Sequence, residues 1–278
     1  MGWQTLCYSQ NRLKEDPIIE LTYEIEQHVA LITLNRPEKR NAFAPEMLRL
    51  WRESLIEAQR SEQVRVVVIT GAGPDFCAGG DLDNMRRRIN EPAIEKKTFL
   101  AEHIQTIPLM LEAIDKPVIA AVNGAATGAG MDMALMCDIR FAEQRSRFAE
   151  RYISVGIMPG AGGAWFLPRI VGKARALELL WTGRWVYADE ALSLGIVNEV
   201  VPDGQVLSRA LEFAQGLAKA PPITVRYMKR AVQQASTMDL RSHLDLISSH
   251  MAVVNSTLDY REALEALTAK RPPQFIGK

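Results

Sequence analysis

Apolar and polar residues alternate along IIELTYEIEQHVALITLNRP, Ile18 to Pro37. A period of two on either side of Gln27-His28 predicts a strand hairpin that ends at Pro37. The next segment, AFAPEMLRLWRESLIEAQR, changes period and sets Met47, Leu50, Trp51, Leu55 and Ala58 on one face, with Pro45 near its start. That spacing predicts an amphipathic helix over 42–60. VRVVVITG (Val64 to Gly71) and KPVIAAVNG are short, continuous apolar runs, the pattern of strands buried on both faces. Glu91 to Ile114 reads as a helix after the charged stretch MRRRINEP, and CDIRFAEQRSRFAERY as two short strands. A glycine turn with a short helix, two small helices (KARALELLWTG and YADEALSLG) and a last strand, IVNEVVP, complete the first part.

Beyond Pro202-Asp203-Gly204 the strand pattern stops. Val206 to Ala220, Ile223 to Ala235, Leu240 to Asn255 and Leu258 to Lys270 are all amphipathic and helical. We therefore divide the chain into an α/β core, residues 14–202, and a helical region, residues 203–278. The apolar face of that region is expected to pack on the core, on a neighbouring subunit, or on both.

Composition narrows the function. The 278 residues, 47% hydrophobic, suffice for a full core. Lys+Arg and Asp+Glu both number 33, so no global charge attracts nucleic acid or an anionic membrane. No apolar run is long enough to cross a bilayer. The first residues lack the apolar core and cleavage pattern of a signal peptide. Cys7, Cys77 and Cys137 have no metal-ligand spacing and suit a reducing compartment. The expectation is a soluble enzyme of the cytoplasm or an organelle matrix, with no metal and no cofactor of its own.

The glycine segments invite a nucleotide reading, which fails. Neither G-A-G-M-D-M from Gly128 nor G-A-G-P-D-F from Gly71 completes G-x-G-x-x-G, and no P-loop occurs. What remains is a design used twice: a buried strand runs into a glycine loop, which then opens a helix or turn. Glycine lets backbone N–H groups approach a ligand closely, and a helix start leaves such groups unpaired. Either loop alone is accounted for by an ordinary tight turn. The two together, with FCAGGDL and GAGMD, point to an oxyanion hole.

These segments carry a family resemblance. LNRPEKRNAF, ITGAGPDFCAGGDL, KPVIAAVNGAATGAGMDMALMCDIRFA, GIMPGAGGAWFLPRIVG, YADEALSLGIVNEVVP and KRPPQF together resemble the enoyl-CoA hydratase/isomerase (crotonase) family from about Ile18 to Lys278. The resemblance implies a superhelix of ββα units, a C-terminal helical trimerisation region and a homo-oligomer, either a trimer or a dimer of trimers. It implies an acyl-CoA thioester substrate held as an enolate, with Gly80 and Ala129 as the oxyanion donors. The coenzyme A end would lie along Arg36 to Ala42 and Ala78 to Leu82, with Arg40, Ala42, Ala78, Asp81 and Leu82 in contact. Arg40 or Lys39 would meet phosphate, with Lys270 or Arg271 as further candidates. Asp81 equally reads as the cap of the following helix.

The sequence also departs from the family pattern. Hydratases of this family use two glutamates to hold a water. The first position here is Asp132 and the second is Tyr152. Three readings stay open: Glu150 substitutes for the lost acid; Asp132 works alone while Tyr152 orients substrate or water; or Tyr152 merely packs. A tyrosine with a reference pKa near 10 donates readily but is a poor base. Glu150 is expected as a surface or supporting acid more than a catalytic one. Hydration is the family's default reaction, and isomerisation, with Asp132 as a single proton shuttle, the runner-up. β-Keto acyl-CoA hydrolysis or decarboxylation, and a non-catalytic CoA-binding role, are further alternatives. His103 is expected in the helix roofing the acyl group, Met85 to Lys97 as its mobile cover, and Trp165, Trp181 and Trp185 near the acyl end.

Overall fold

The computed structural model describes residues 4–5 and 19–278. Ile18 and Cys7 lie outside them. The hairpin forms where the alternation predicts it: β2 (Leu21–Glu26) and β3 (Val29–Leu34) pair antiparallel, Leu21 opposite Leu34. Gln27 and His28 have φ of 49° and 68°. Two left-handed residues in succession make the type I′ turn, whose twist matches that of the flanking strands. β1 (Gln4–Thr5) adds to the outer edge of β2.

The buried runs extend this hairpin into a sheet. β4 (Val66–Gly71), β5 (Val118–Val122), β7 (Ile139–Glu143) and β10 (Glu199–Val201) follow in parallel, giving the order β1-β2-β3-β4-β5-β7-β10. Three short strands form a second sheet. They are β6 (Ala125–Thr127), β8 (Arg147–Ala149) and β9 (Val186–Tyr187), in the order β6-β8-β9. Of these only β8 was expected, as the second strand of CDIRFAEQRSRFAERY.

The period of two sorts the main sheet into two cores. Ala30, Ile32, Leu34, Val67, Ile69, Ala120 and Val122 face one way, against α1 (Pro45–Arg60) and the site. Met47, Leu50, Trp51, Leu55 and Ala58 of α1 are all buried there. The buried Lys116 ammonium donates to the carbonyls of Ala58 and Ser61 at 2.7 Å, satisfying the end of α1. Val29, Leu31, Val66, Val68, Ile119 and Phe141 face the other way, against α9 (Val206–Ala218). Its Val206, Ala210, Ala214 and Ala218 make a stripe of small residues that lets helix and sheet approach. Although α9 follows the break at Pro202, it is thus part of the sheet's second core.

Between β4 and β5 lie α2 (Leu82–Arg87), α3 (Ala93–Phe99) and α4 (Thr106–Ala113). The expected single helix over Glu91–Ile114 is interrupted by a π turn at Leu100–Ile104. Pro108 has no N–H to offer the Ile104 carbonyl, and the ladder widens so that Gln105 N–H bonds back to Leu100 at 2.8 Å. The remaining helices of the core are α5 (Ala129–Leu135), α6 (Gly163–Val171), α7 (Lys173–Thr182) and α8 (Ala188–Ser193).

The tail continues as α10 (Pro222–Ala235), α11 (Leu240–Asn255) and α12 (Leu258–Ala269). Neither α10 nor α11 buries a residue. α10 is tied to the core by the ion pairs Arg226–Asp115 and Lys229–Asp138, both at 2.7 Å, and α11 packs on α10, where His243 Nε2 meets the Ala231 carbonyl at 3.0 Å. No helix among the described residues is long and apolar enough to cross a membrane.

Candidate active site

Two backbone turns meet at the end of β4 and β5. Phe43 and Gly80 form an isolated parallel bridge, in which Phe43 N–H donates to Gly79 (2.8 Å) and Asp81 N–H to Phe43 (3.4 Å). Gly80, between those two bonds, therefore turns its own N–H to the opposite side. Cys77 bridges to Ala126, and Thr127 Oγ1 donates to the Ala78 carbonyl at 3.0 Å. Gly79 has a φ of 84°, and a Cβ there would lie 2.8 Å from Thr127 O and 3.1 Å from Ala129 N. Backbone thus packs directly on backbone where the turns touch. Ala129 opens α5 behind Gly128, whose φ is 51°. Among the described residues neither the Gly80 nor the Ala129 amide has a hydrogen-bond acceptor.

Three titratable groups sit under the second turn. The Tyr152 hydroxyl donates to Asp132 Oδ2 at 2.5 Å, and the ring lies against Gly128, 3.8 Å from where a Cβ would stand. Asp132 is fully buried at 0% exposure and Glu150 at 1%, whereas Tyr152 is partly exposed. Asp132 Oδ1 and both Glu150 oxygens have no donor. A Cβ on Gly163 would stand 2.1 Å from Asp132 Oδ1 and 3.1 Å from Glu150 Oε1, so both acids border the first residue of α6. Burial pushes the Asp132 carboxyl up to about 6; the Tyr152 hydroxyl, the Glu150 carboxyl and the amides of Gly163 and Ala161 hold it from going higher. Glu150 is pushed up further, by burial and then by the charge of Asp132. Tyr152 is raised for the same two reasons.

Of the two placements expected for Glu150, at the surface or as a supporting acid, burial corrects the first: it leaves β8 at the start of a 3₁₀ turn, Arg151–Val155, and enters the interior beside Asp132. A pair of carboxylates is therefore present despite Tyr152, in a sealed position. Strand alternation rightly puts Glu150 and Tyr152 on one side, although a 3₁₀ turn rather than an extended segment brings them together.

The loops expected to hold coenzyme A are braced by Arg36. Its guanidinium donates to the Ala42 carbonyl at 2.5 Å and to Asp81 Oδ2 at 3.2 Å, and pairs with Glu20 at 3.2 Å. Asp81 caps α2 as well, accepting from the amides of Asp83 and Asn84. Ala42 is buried, Ala78 partly so, and Leu82 is 56% exposed at the start of α2. Arg40 is open to solvent, 3.9 Å from Asp75. Lys39 is engaged by Asp83 at 2.9 Å and Arg271 by Glu262 at 2.6 Å, which leaves Arg40 the freer cation on this loop. The sequence reading missed the bracing role of Arg36 because its partners lie 16 residues before and 45 after it. It also missed the buried Asn41, whose amide donates to the carbonyls of Ala72 and Asp75 at 2.9 and 2.8 Å.

Of the expected cover segment, its first residue approaches the first turn: Met85 Sδ lies 3.7 Å from where a Cβ on Gly80 would be. Beyond the segment, Gln105 Nε2 donates to Gly160 O at 3.1 Å. His103 lines a separate cavity of about 280 Å³ with Arg88, Phe99 and Glu102, away from the acids. No ring contact joins Trp165, Trp181 and Trp185: the first two are more than half exposed and the third is stacked by Arg147. Cys77 and Cys137 are buried free thiols. Among the described residues no group of metal-binding side chains comes together.

Comparison with known proteins agrees with this architecture. A protein-family model for enoyl-CoA hydratase/isomerase matches residues 24–278. The chain is 37% identical to 1,2-epoxyphenylacetyl-CoA isomerase of Escherichia coli (strain K12), over 91% of this chain and 97% of that one. It is 35% identical to a short-chain-enoyl-CoA hydratase of Clostridium acetobutylicum, over 89% and 94%. The crystal structure of an enoyl-CoA hydratase from Bacillus anthracis superposes with a TM-score of 0.88 at 34% identity, covering 93% of this chain and 100% of that one. The chain belongs to the enoyl-CoA hydratase/isomerase family. It has the crotonase fold with a helical C-terminal region, and it is an enzyme of the hydratase/isomerase type.

Proposed function

We propose that the enzyme moves a carbon–carbon double bond along an acyl-CoA thioester by a proton relay through Tyr152 and Asp132. The thioester oxygen is received by the free amides of Gly80 and Ala129. As the C–H bond at the α-carbon breaks, its electron pair enters the enolate, whose oxygen those amides stabilise. The hydrogen passes to the Tyr152 oxygen while the tyrosine's own hydrogen passes to Asp132 Oδ2. The reverse relay returns a hydrogen to the γ-carbon, so that nothing is consumed. A raised carboxylate suits this role: at neutral pH it is mostly ionised, yet a stronger base than a surface aspartate.

The observation that carries this reading is the sealing of the acids. Tyr152 is the partly exposed member of the group, and it stands between solvent and an aspartate it already hydrogen-bonds. The carboxylates have no open face between them on which to activate a water. Hydration remains the second reading, favoured by the presence of Glu150 beside Asp132. The two separate on paired substrates: a 3-enoyl-CoA is expected to gain conjugated absorbance, and crotonyl-CoA to keep it. Tyr152→Phe should lower isomerisation by about 100-fold. Rapid hydration of crotonyl-CoA, or a Phe variant as fast as wild type, overturns the relay.

Arg40, with the 36–42 and 78–82 loops, is proposed to bind the coenzyme A end, and Met85 to close over the thioester. The exposed Met228, Val232, Leu240, Leu244, Leu264 and Leu267 of α10–α12 support assembly as a trimer or a dimer of trimers, to be read by light scattering of the purified protein. The buried thiols of Cys77 and Cys137 fit a reducing compartment.

A further inference from the structure

Glu150 is the group that the relay does not use and that the fold nonetheless buries against it. Both of its oxygens lack a donor, it is 1% exposed, and no ion pair reaches it or Asp132 among the described residues. The groups facing it are the Asp132 carboxylate from α5, the Tyr152 hydroxyl from the 3₁₀ turn, and the first residue of α6. The neighbouring cations Arg147 and Arg151 are turned away, over the ring of Trp185. Two buried carboxylates in contact, with no cation between them, cannot both be charged. One proton must be kept, and it belongs to the member whose charged form has fewer donors. Asp132 has the tyrosine O–H on Oδ2; neither Glu150 oxygen has a donor.

We propose that Glu150 is a positioning residue held as the neutral acid, donating its O–H to Asp132 Oδ1 and so presenting Oδ2 to Tyr152. Asp132 is then gripped by an O–H at each oxygen. The first fixes the rotation of the carboxylate; the second carries the relay. Gly163 is what allows the contact, because a side chain there would stand within 2.1 Å of Asp132 Oδ1 and 3.1 Å of Glu150 Oε1. This inference extends the Tyr152–Asp132 reading, but it can fail or stand separately from it.

Infrared spectroscopy of the whole protein tests the protonation directly. A carbonyl band of a buried, neutral carboxylic acid is expected at neutral pH, lost in Glu150→Gln and kept in Tyr152→Phe. Absence of that band in the wild type overturns the proposal whatever reaction the enzyme performs. The positioning role is tested by exchange of the α-hydrogens of a saturated acyl-CoA for deuterium, which requires enolisation but neither hydration nor double-bond migration. Glu150→Gln keeps an N–H donor and should exchange within about threefold of wild type. Glu150→Leu removes the donor and should lose about 10- to 100-fold in rate with KM unchanged. Its activity should also set in at higher pH, because Asp132 without that donor takes up a proton more readily. Gly163→Ala, which leaves Glu150 in place but forces the two acids apart, should resemble Glu150→Leu. A Gln variant as slow as the Leu variant, or a Leu variant as fast as wild type with an unmoved pH profile, overturns the role. If the wild type shows the infrared band but no exchange, the relay fails and the assignment of the neutral acid stands.

Discussion

Removing one N–H tests the enolate site without touching an acid. Ala129 is the first residue of α5, the position where proline is best tolerated because that N–H has no partner in the helix. Here the amide has no acceptor elsewhere among the described residues, so Ala129→Pro breaks no internal hydrogen bond. The residue before it is Gly128 at φ 51° and ψ −125°, a conformation outside the helical region that proline disfavours for its predecessor. The stability cost should stay within about 1 kcal/mol, read as a shift in thermal unfolding of a few degrees. The rate cost should be far larger. A lost oxyanion donor costs about 3–4 kcal/mol, or roughly 100- to 1,000-fold in kcat. Ala129→Gly is the control: it keeps the N–H, loses a methyl and about 1 kcal/mol of helix preference, and should turn over within about threefold of wild type. Both variants are assayed by α-hydrogen exchange and by conjugation of a 3-enoyl-CoA, alongside calorimetric binding of a saturated acyl-CoA. A folded proline variant that loses less than about tenfold refutes the assignment. So does a rate loss matched by an equal loss of ground-state binding, since that pattern reports a blocked pocket rather than a missing transition-state donor.

Three further outcomes follow from the same geometry. Asp132 and Glu150 have folded-state pKa values raised by burial, so the stability they contribute is complete below about pH 4 and is lost as pH rises, for Asp132 through about 6. Asp132→Asn should therefore melt higher relative to wild type at pH 8 than at pH 4; a difference independent of pH contradicts the burial argument. Asp81→Ala removes both the cap of α2 and a partner of the partly buried Arg36, and chemical denaturation should show a loss of about 2–3 kcal/mol with a weaker grip on coenzyme A. Arg40→Ala should raise KM for acyl-CoA several-fold while kcat at saturation holds; unchanged KM removes Arg40 from the coenzyme site.

What was legible in the sequence was what periodicity can encode. The hairpin, the two continuous apolar strands and the buried face of α1 follow from spacing alone, because each element must bury one side. Strands of two or three residues, such as β6 and β9, have no period to read and are held by the Cys77 and Arg147 neighbours that tertiary folding brings to them. The two N–H turns were legible because glycines at 79, 80, 128 and 130 concentrate where two buried strands end, and bare backbone there has a ligand to meet. Glu150 was not, since a lone glutamate between Ala149 and Arg151 has the neighbours of a surface residue. Only the second sheet, which turns β8 inward, reveals that its side chain is buried. Arg36 was invisible as a brace for the same reason: its partly buried ion pairs are defined by partners distant in sequence.

The glycines and the orphaned acids belong to one arrangement. At Gly79 a Cβ would collide with Thr127 O, and at Gly163 with Asp132 Oδ1. Each is a place where a side chain would separate groups that must touch. Close approach at Gly79 sets the first turn against the start of α5; close approach at Gly163 lets two buried carboxyl groups border one residue, where they are proposed to share a proton. The fold is destabilised at both places, by unpaired amides in the first and by the burial of two acids without a cation in the second. Such costs are tolerated where a ligand supplies what is missing, and an enolate oxygen would fill the empty acceptor position between Gly80 and Ala129. The charge on that oxygen should then be worth more than the rest of the acyl chain. Acetoacetyl-CoA, whose α-hydrogens are acidic enough to leave an enolate at mildly basic pH, tests this against butyryl-CoA, which has the same carbon count and stays neutral. At equal free concentrations, each tenfold advantage in affinity adds about 1.4 kcal/mol to the thermal stabilisation. The β-keto ligand is expected to exceed the saturated one by at least that much, with the excess growing as pH rises and shrinking in Ala129→Pro. Equal shifts for the two ligands across that pH range would show that the paired amides gain nothing from a charged oxygen, and the enolate reading would go with them.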